Sequence, residues 1–160
     1  QYKKILKKNP KNLSALSDLG VTQYYQNRLE EAEATLKTAL AIDPKEAFCL
    51  AVLGIVYCQQ GKPDAAIRAL TRSIASDPSN HEAHNFLGIA YTQKGDLEAA
   101  QKELLKAIEI SPEHAEAHYN LAVLFTIQKP PSLELARKHY KEALALGIKK
   151  DLELEKTLRK

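Results

Sequence analysis

Apolar residues recur three and four positions apart along this chain, in blocks separated by short polar breaks. Leu50, Leu53 and Tyr57 form one such series, and Ala100, Leu104, Ala107 and Ile108 another. That spacing lines one face of an α-helix. It predicts helices at 13–26, 47–60, 81–94 and 115–128, each followed by a second at 29–42, 63–76, 97–110 and 132–146. The breaks have local causes. Gly61 and Gly95 can adopt the left-handed backbone that closes a helix, and Asn27 is the residue that best substitutes for glycine there. Pro63 is placed for a first helical turn. Asp43-Pro44, Asp77-Pro78 and Ser111-Pro112 end the second helices, because proline disfavours a helical residue before it.

The helix pairs repeat. Pro10, Pro44, Pro78 and Pro112 are 34 residues apart. Gly20, Gly54, Gly88 and Ala122 keep the same interval, preceded in phase by Leu19, Leu53, Leu87 and Leu121. Ala32, Ala66 and Ala100 form a further column, as do Leu36, Leu70 and Leu104, and the small residues Ala39, Ser73 and Ala107. A small residue on each of two paired helices lets their axes approach closely. No such pair can bury its apolar face alone, so the units must stack.

The stretch His84-Asn85-Phe86-Leu87-Gly88-Ile89-Ala90-Tyr91 carries the Leu-Gly-x-x-Tyr core of the tetratricopeptide repeat, without its leading tryptophan, and Leu50 through Tyr57 does the same. Ala100 and Leu104 stand for that repeat's later Ala-x-x-x-Phe, and Pro112 for its closing proline. The chain resembles this family over about residues 1–148. The resemblance implies an all-α fold, a right-handed superhelical α-solenoid of 34-residue helix–turn–helix repeats. Its repeats would be 13–46, 47–80, 81–114 and 115–148, one domain spanning 1–160.

Departures from the pattern are informative. The first unit has Gln23 where tyrosine is usual, followed by Tyr24 and Tyr25. The fourth carries Lys129-Pro130-Pro131 at its turn, and Ala136, Tyr140 and Ala143 lie 36 rather than 34 residues beyond their counterparts. Such a two-residue insertion is one a turn accommodates. Residues 149–160 are expected to form a capping helix through Leu152, Leu154 and Leu158. Residues 1–12 align with the end of a preceding repeat, which implies that the chain is a piece of a longer array.

The resemblance also implies a concave face lined by the first helices and used to hold an extended or helical peptide. The residues expected there are Ser17, Val21, Tyr24, Phe48, Ala51, Ile55, Glu82, Asn85, Ile89, Thr92, Tyr119 and Val123. Val21, Ile55, Ile89 and Val123 would form an apolar stripe, and Tyr24, Phe48 and Tyr119 supply the rigid aromatic surface common among binding hot spots. Some of these positions would instead pack against the neighbouring helix. Family members that clamp carboxylates place cations and amides on successive first helices. Here those places hold Ser17, Val21, Val52, Glu82 and Phe86, so that mode is excluded. The asparagine ladder of O-linked N-acetylglucosamine transferases is also missing, since its column reads Asp18, Val52, Phe86 and Asn120.

Charge and chemistry narrow the function further. The net charge is +3, but five lysines fall within residues 1–11, and the remainder holds 18 basic and 20 acidic residues. A nucleic-acid footprint would run along a face of the fold, so none is expected. No apolar run approaches the ~20 residues of a membrane-spanning helix. Cys49 and Cys58 lie nine residues apart in one helix, ~13 Å along its axis and too far to bridge. They read as core thiols and point toward a reducing, cytoplasmic compartment without fixing one. His81 with His84, and His114 with His118, have spacings that can place two ligands on one helix face, with Glu82 or Glu116 nearby. His84 and His118 nevertheless occupy the packing column of Leu16 and Leu50, so no metal and no cofactor are expected. Glu30, Glu31 and Glu33 open a second helix and suit its dipole. Gly61-Lys62 lacks the spacing of a phosphate loop, and no catalytic motif is present. The sequence therefore points to a non-catalytic scaffold whose partner is another protein or peptide. The alternative is a structural module that self-associates end to end.

Overall fold

The computed structural model describes residues 2–159. Gln1 and Lys160, the outer ends of the segments 1–12 and 149–160, lie outside the described residues, as does the side chain of Lys3. Among the described residues there are ten helices and no strand. They fall into two compact units, residues 1–79 and 80–160. The first unit contains α1 (Tyr2–Lys8), α2 (Leu13–Tyr25), α3 (Leu29–Ile42), α4 (Ala47–Gln59) and α5 (Pro63–Ser76). The second contains α6 (His81–Lys94), α7 (Leu97–Ile110), α8 (Ala115–Ile127), α9 (Leu133–Ala145) and α10 (Leu152–Leu158). Within each unit the helices pack as antiparallel hairpins, α2 on α3, α4 on α5, α6 on α7 and α8 on α9.

The same hydrogen bond closes three of these hairpins. After α2, α4 and α6 the chain turns through Asn27, Gly61 and Gly95, with φ of 57°, 66° and 85°. The next residue then donates its N–H back to the helix: Arg28 to Gln23 O, Lys62 to Tyr57 O, and Asp96 to Tyr91 O, at 2.9 to 3.0 Å. This bond occupies carbonyls that a helix end would leave unpaired. The fourth hairpin keeps it despite the insertion. Ser132 N donates to Phe125 O at 2.8 Å across the longer turn 128–132. The two extra residues bulge out between a donor and an acceptor that keep their places in the repeat, and the hairpin on either side is undisturbed.

Caps open the helices. Asn12, Glu46 and Asn80, one repeat apart, each accept from backbone N–H groups of the first turn of α2, α4 and α6. His114 holds the equivalent place before α8 and makes no such bond. Asp96 caps α7 through Ala99 N at 3.1 Å.

The small-residue columns meet across each hairpin. A methyl group on Gly20, Gly54 or Gly88 would lie 2.7, 2.4 or 2.6 Å from the nearest carbon of Leu36, Leu70 or Leu104. These leucines are fully buried, as are Ala32, Ala66 and Ala100. Ser73, the one hydroxyl in a column of alanines, is also fully buried and donates to Ala47 O at 2.8 Å. In the last hairpin Ala122 and Tyr140 replace glycine and leucine, within a core shared with Leu121, Leu124 and Phe125.

α10 packs on α8 and α9. Leu154 and Leu158 are buried, whereas Leu152, expected on the same apolar face, is 67% exposed. The difference arises because α10 starts only at Leu152. Its cap, Asp151, accepts from Glu153 N and Leu154 N, and this sets a phase in which 154 and 158 face inward.

Gly88→Ala is expected to lower the stability of the second unit by about 1–3 kcal/mol, the usual cost of overpacking. Urea denaturation followed by circular dichroism measures it. An unchanged midpoint would show that Leu104 can move aside.

Candidate functional site

The first helices carry the side chains expected at a binding face, and each unit presents its own pair. In the first unit α2 lies against α4. Ser17 and Ala51, one repeat apart, are both buried. Ser17 Oγ lies 2.9 Å from Cys49 Sγ across that seam. Val21, Tyr24 and Ile55 are half-buried, and Phe48 is 50% exposed. Tyr24 meets Tyr25 edge-on at 5.2 Å between ring centroids, and Gln59 Nε2 donates to Tyr24 Oη at 3.4 Å. Tyr25 is 80% exposed. It is visible in the sequence as an aromatic following the atypical Gln23, but helical phase assigns only Tyr24 to the face.

In the second unit α6 lies against α8. Asn85 is 2% exposed and accepts from Asn120 Nδ2 at 2.9 Å, a polar link between the two first helices. Ile89, Thr92 and Val123 are half-buried, and Glu82 is exposed. Thr92 Oγ1 donates back to Gly88 O. Tyr119 is half-buried, and its hydroxyl donates to Asp151 Oδ2 at 2.6 Å. Tyr140 Oη in turn accepts from Asp151 N at 2.7 Å. The residue that caps α10 is thus tied to two tyrosines of α8 and α9. The bond raises the Tyr119 phenol to about 12, with burial adding to it, and the same bond holds the Asp151 carboxyl below its ordinary range.

Ser17, Asn85 and Tyr119, one repeat apart in register with the buried Ala51, each contact a neighbouring element of their own unit. The column Val21, Ile55, Ile89 and Val123 retains exposed apolar surface in every repeat. Sequence phase alone assigns both columns to the same face.

Other titratable groups have specific surroundings. Glu33 accepts from Lys37 Nζ at 2.6 Å, Lys62 Nζ at 3.2 Å and Tyr57 Oη at 3.3 Å, and the Lys37 bond contributes most to holding its carboxyl down at about 2. Cys49 and Cys58 are buried free thiols, both pushed up to about 12 by burial. They are unsuited to nucleophilic work at neutral pH. His84 Nδ1 pairs with Glu103 at 2.7 Å. His118 and His139 approach through their Nδ1 atoms at 3.0 Å, while His118 Nε2 lies 3.0 Å from Pro112 O. A carbonyl only accepts, so His118 Nε2 carries the proton and its Nδ1 accepts from His139 Nδ1–H. His81, Glu82 and His114 bring one potential metal-ligand atom each within 4.8 Å of the others.

Two models of the tetratricopeptide repeat match the chain, one over residues 52–113 and 93–150 and the other over residues 1–50. The chain belongs to the tetratricopeptide repeat family. No curated protein matches it. Among solved structures, MamA is 29% identical, with a TM-score of 0.79 over 91% of this chain and 84% of that one. The thermophilic tetratricopeptide repeat protein TTC0263 of Thermus thermophilus is 25% identical, with a TM-score of 0.77 over 99% and 85%. The pilF protein of Pseudomonas aeruginosa is 25% identical, with a TM-score of 0.79 over 92% and 68%. Among the described residues no helix is long and apolar enough to cross a membrane.

The contacts around Asp151 and His139 can each be tested. Asp151→Ala removes both the cap of α10 and the partner of Tyr119. Amide exchange across 152–158 should accelerate while α6 and α7 stay protected, as hydrogen-exchange mass spectrometry would show. The second test concerns acid. Burial first, then His118 and Lys138, hold His139 below its ordinary value of 6.5. On acidification the unfolded chain protonates first, so this stability is present above about pH 6.5 and is lost as pH falls through that value toward the lower folded one. The melting temperature should drop between about pH 7.5 and 5.5, and the drop should shrink in His139→Gln. An equal drop in both proteins would place the acid sensitivity elsewhere.

Proposed function

We propose that this tetratricopeptide repeat chain is a non-catalytic scaffold that binds another protein, taking an extended or helical segment on the exposed faces of its first helices. The observation that carries the reading is apolar and aromatic surface left open at repeat spacing. Val21, Ile55, Ile89 and Val123 are half-buried in all four repeats, and in the first unit Tyr24, Tyr25 and Phe48 stand beside that column. Large aromatic side chains supply contact area at low entropic cost, which suits them to anchor a partner. Ser17 and Asn85, buried polar members of the neighbouring column, tie the two first helices of their own unit together.

The division into repeats 13–46, 47–80, 81–114 and 115–148 belongs to the same reading. Recurrence of the helix-closing bond at residues 28, 62 and 96 supports it. The segment 149–160 serves as the cap of the last hairpin, supported by burial of Leu154 and Leu158 and by an outer surface rich in charge.

The test is a pull-down from lysate with the chain as bait, beside an Ile55→Arg, Ile89→Arg double variant checked for unchanged helicity. Disrupting a hot spot costs at least ~2 kcal/mol, or roughly thirtyfold in affinity. Prey held by the wild type should therefore be lost from the variant. Identical prey lists, or recovery of the chain alone, would overturn the face assignment and favour self-association.

A further inference from the structure

At the starts of α6 and α8, two histidines depart from their repeat columns together. His114 occupies the cap position held by Asn12, Glu46 and Asn80, and alone among the four makes no side-chain cap bond. His81 opens α6, where the other first helices begin with leucine or alanine. Their rings meet edge-on with centroids 4.9 Å apart. Packing does not account for the pair. The His114 side chain is only 3% exposed, and its Nε2 is buried without a hydrogen-bond partner. His81 Nδ1 is likewise buried and unpartnered. A pair retained only for its shape would be better served by apolar rings, because each unpaired buried nitrogen is costly.

A carboxylate completes the cluster. Glu82 Oε2 lies 3.8 Å from His114 Nε2, and one ligand atom from each of His81, Glu82 and His114 lies within 4.8 Å of the other two. We propose that these three residues bind a divalent transition-metal ion of the zinc class. Imidazole nitrogens and a carboxylate oxygen suit that ion, and ligand bonds near 2.0–2.1 Å put neighbouring donors ~3.3 Å apart. Closing the remaining distance requires rotation of the exposed Glu82 side chain and a small advance of His81, both in the first turn of α6. The donors present are therefore close to their bound spacing before any ion arrives.

The second partner of His114 fits the same assignment. Its Nδ1 lies 3.3 Å from Glu116 Oε2. A metal-bound imidazole commonly presents its other nitrogen to a carboxylate, which fixes the ring orientation and the tautomer. Glu116 leaves Nε2 as the free donor, the atom that faces Glu82. Three protein ligands leave a fourth tetrahedral position to water. The ion would join the start of α6 to the turn before α8, so it would pin successive first helices within the second unit.

The experiment uses the full chain without a polyhistidine tag, stripped with a chelator and titrated with zinc chloride by calorimetry. One ion per chain is expected, with a melting temperature that rises with zinc concentration. His81→Ala and Glu82→Gln should each weaken binding at least about tenfold while leaving helicity unchanged, and Glu113→Gln, an exposed neighbour, should leave binding intact. Both informative substitutions lie in the first turn of α6, so the test does not depend on a His114 variant folding. Cobalt(II) gives a second readout, a tetrahedral visible absorption in the wild type that is lost in both variants. Absence of stoichiometric uptake by the wild type would overturn the assignment. So would uptake that survives His81→Ala and Glu82→Gln, which would place the ion at other histidines.

Discussion

Each of the first three hairpins depends on one steric fit, a glycine of the first helix receiving a leucine of the second. Leu70 leaves no room for even a methyl group on Gly54, and Leu36 and Leu104 do the same at Gly20 and Gly88. The contact brings the helix axes together and seals the leucine from water, which couples geometry to the hydrophobic effect at a single point. Because the fit recurs every 34 residues, each of these hairpins has the same internal geometry. The column next to it can then take the same place on every first helix. The exposed column Val21, Ile55, Ile89 and Val123 is a consequence of that regularity.

Departures from the repeat show how the fold absorbs change. The two-residue insertion within the turn 128–132 is contained because Ser132 still reaches Phe125 O, as Asp96 reaches Tyr91 O. The last hairpin exchanges glycine and leucine for Ala122 and Tyr140, and the tyrosine hydroxyl gains a use in holding Asp151. A larger side chain on one helix is matched by a polar anchor for α10. Where the caps change from Asn80 to His114, local stabilisation of the helix start is given up, and two unsatisfied nitrogens gather beside a carboxylate. The loss of a cap and the gain of a donor cluster occur at the same residue.

Both candidate surfaces combine rigid support with open positions. At the first-helix face the Ser17–Cys49 and Asn85–Asn120 contacts hold the helices that carry the exposed apolar column. At the histidine cluster Glu116 orients His114, while Glu82 is exposed and able to adjust. Support that is already in place lowers the ordering cost of binding.

Most of the architecture was legible in the chain because its causes are local. Apolar periodicity, left-handed Asn27, Gly61 and Gly95, and proline after the first three second helices act within a few residues of where they lie. The helix limits therefore agree with expectation to within a few residues, and α10 fills only part of its expected span. The small columns likewise foretold the close hairpins, since only glycine and alanine permit them. The site was legible only in part. Phase could assign Asn85, Ser17 and Ile89 to one side of a helix, but which of them meets a neighbour depends on how adjacent helices rotate against each other. The Tyr119–Asp151 bond joins residues 32 apart, and the His81–His114 contact residues 33 apart. Such contacts follow no helical period. They exist because stacking brings successive helix starts side by side, and that proximity is a property of the folded chain.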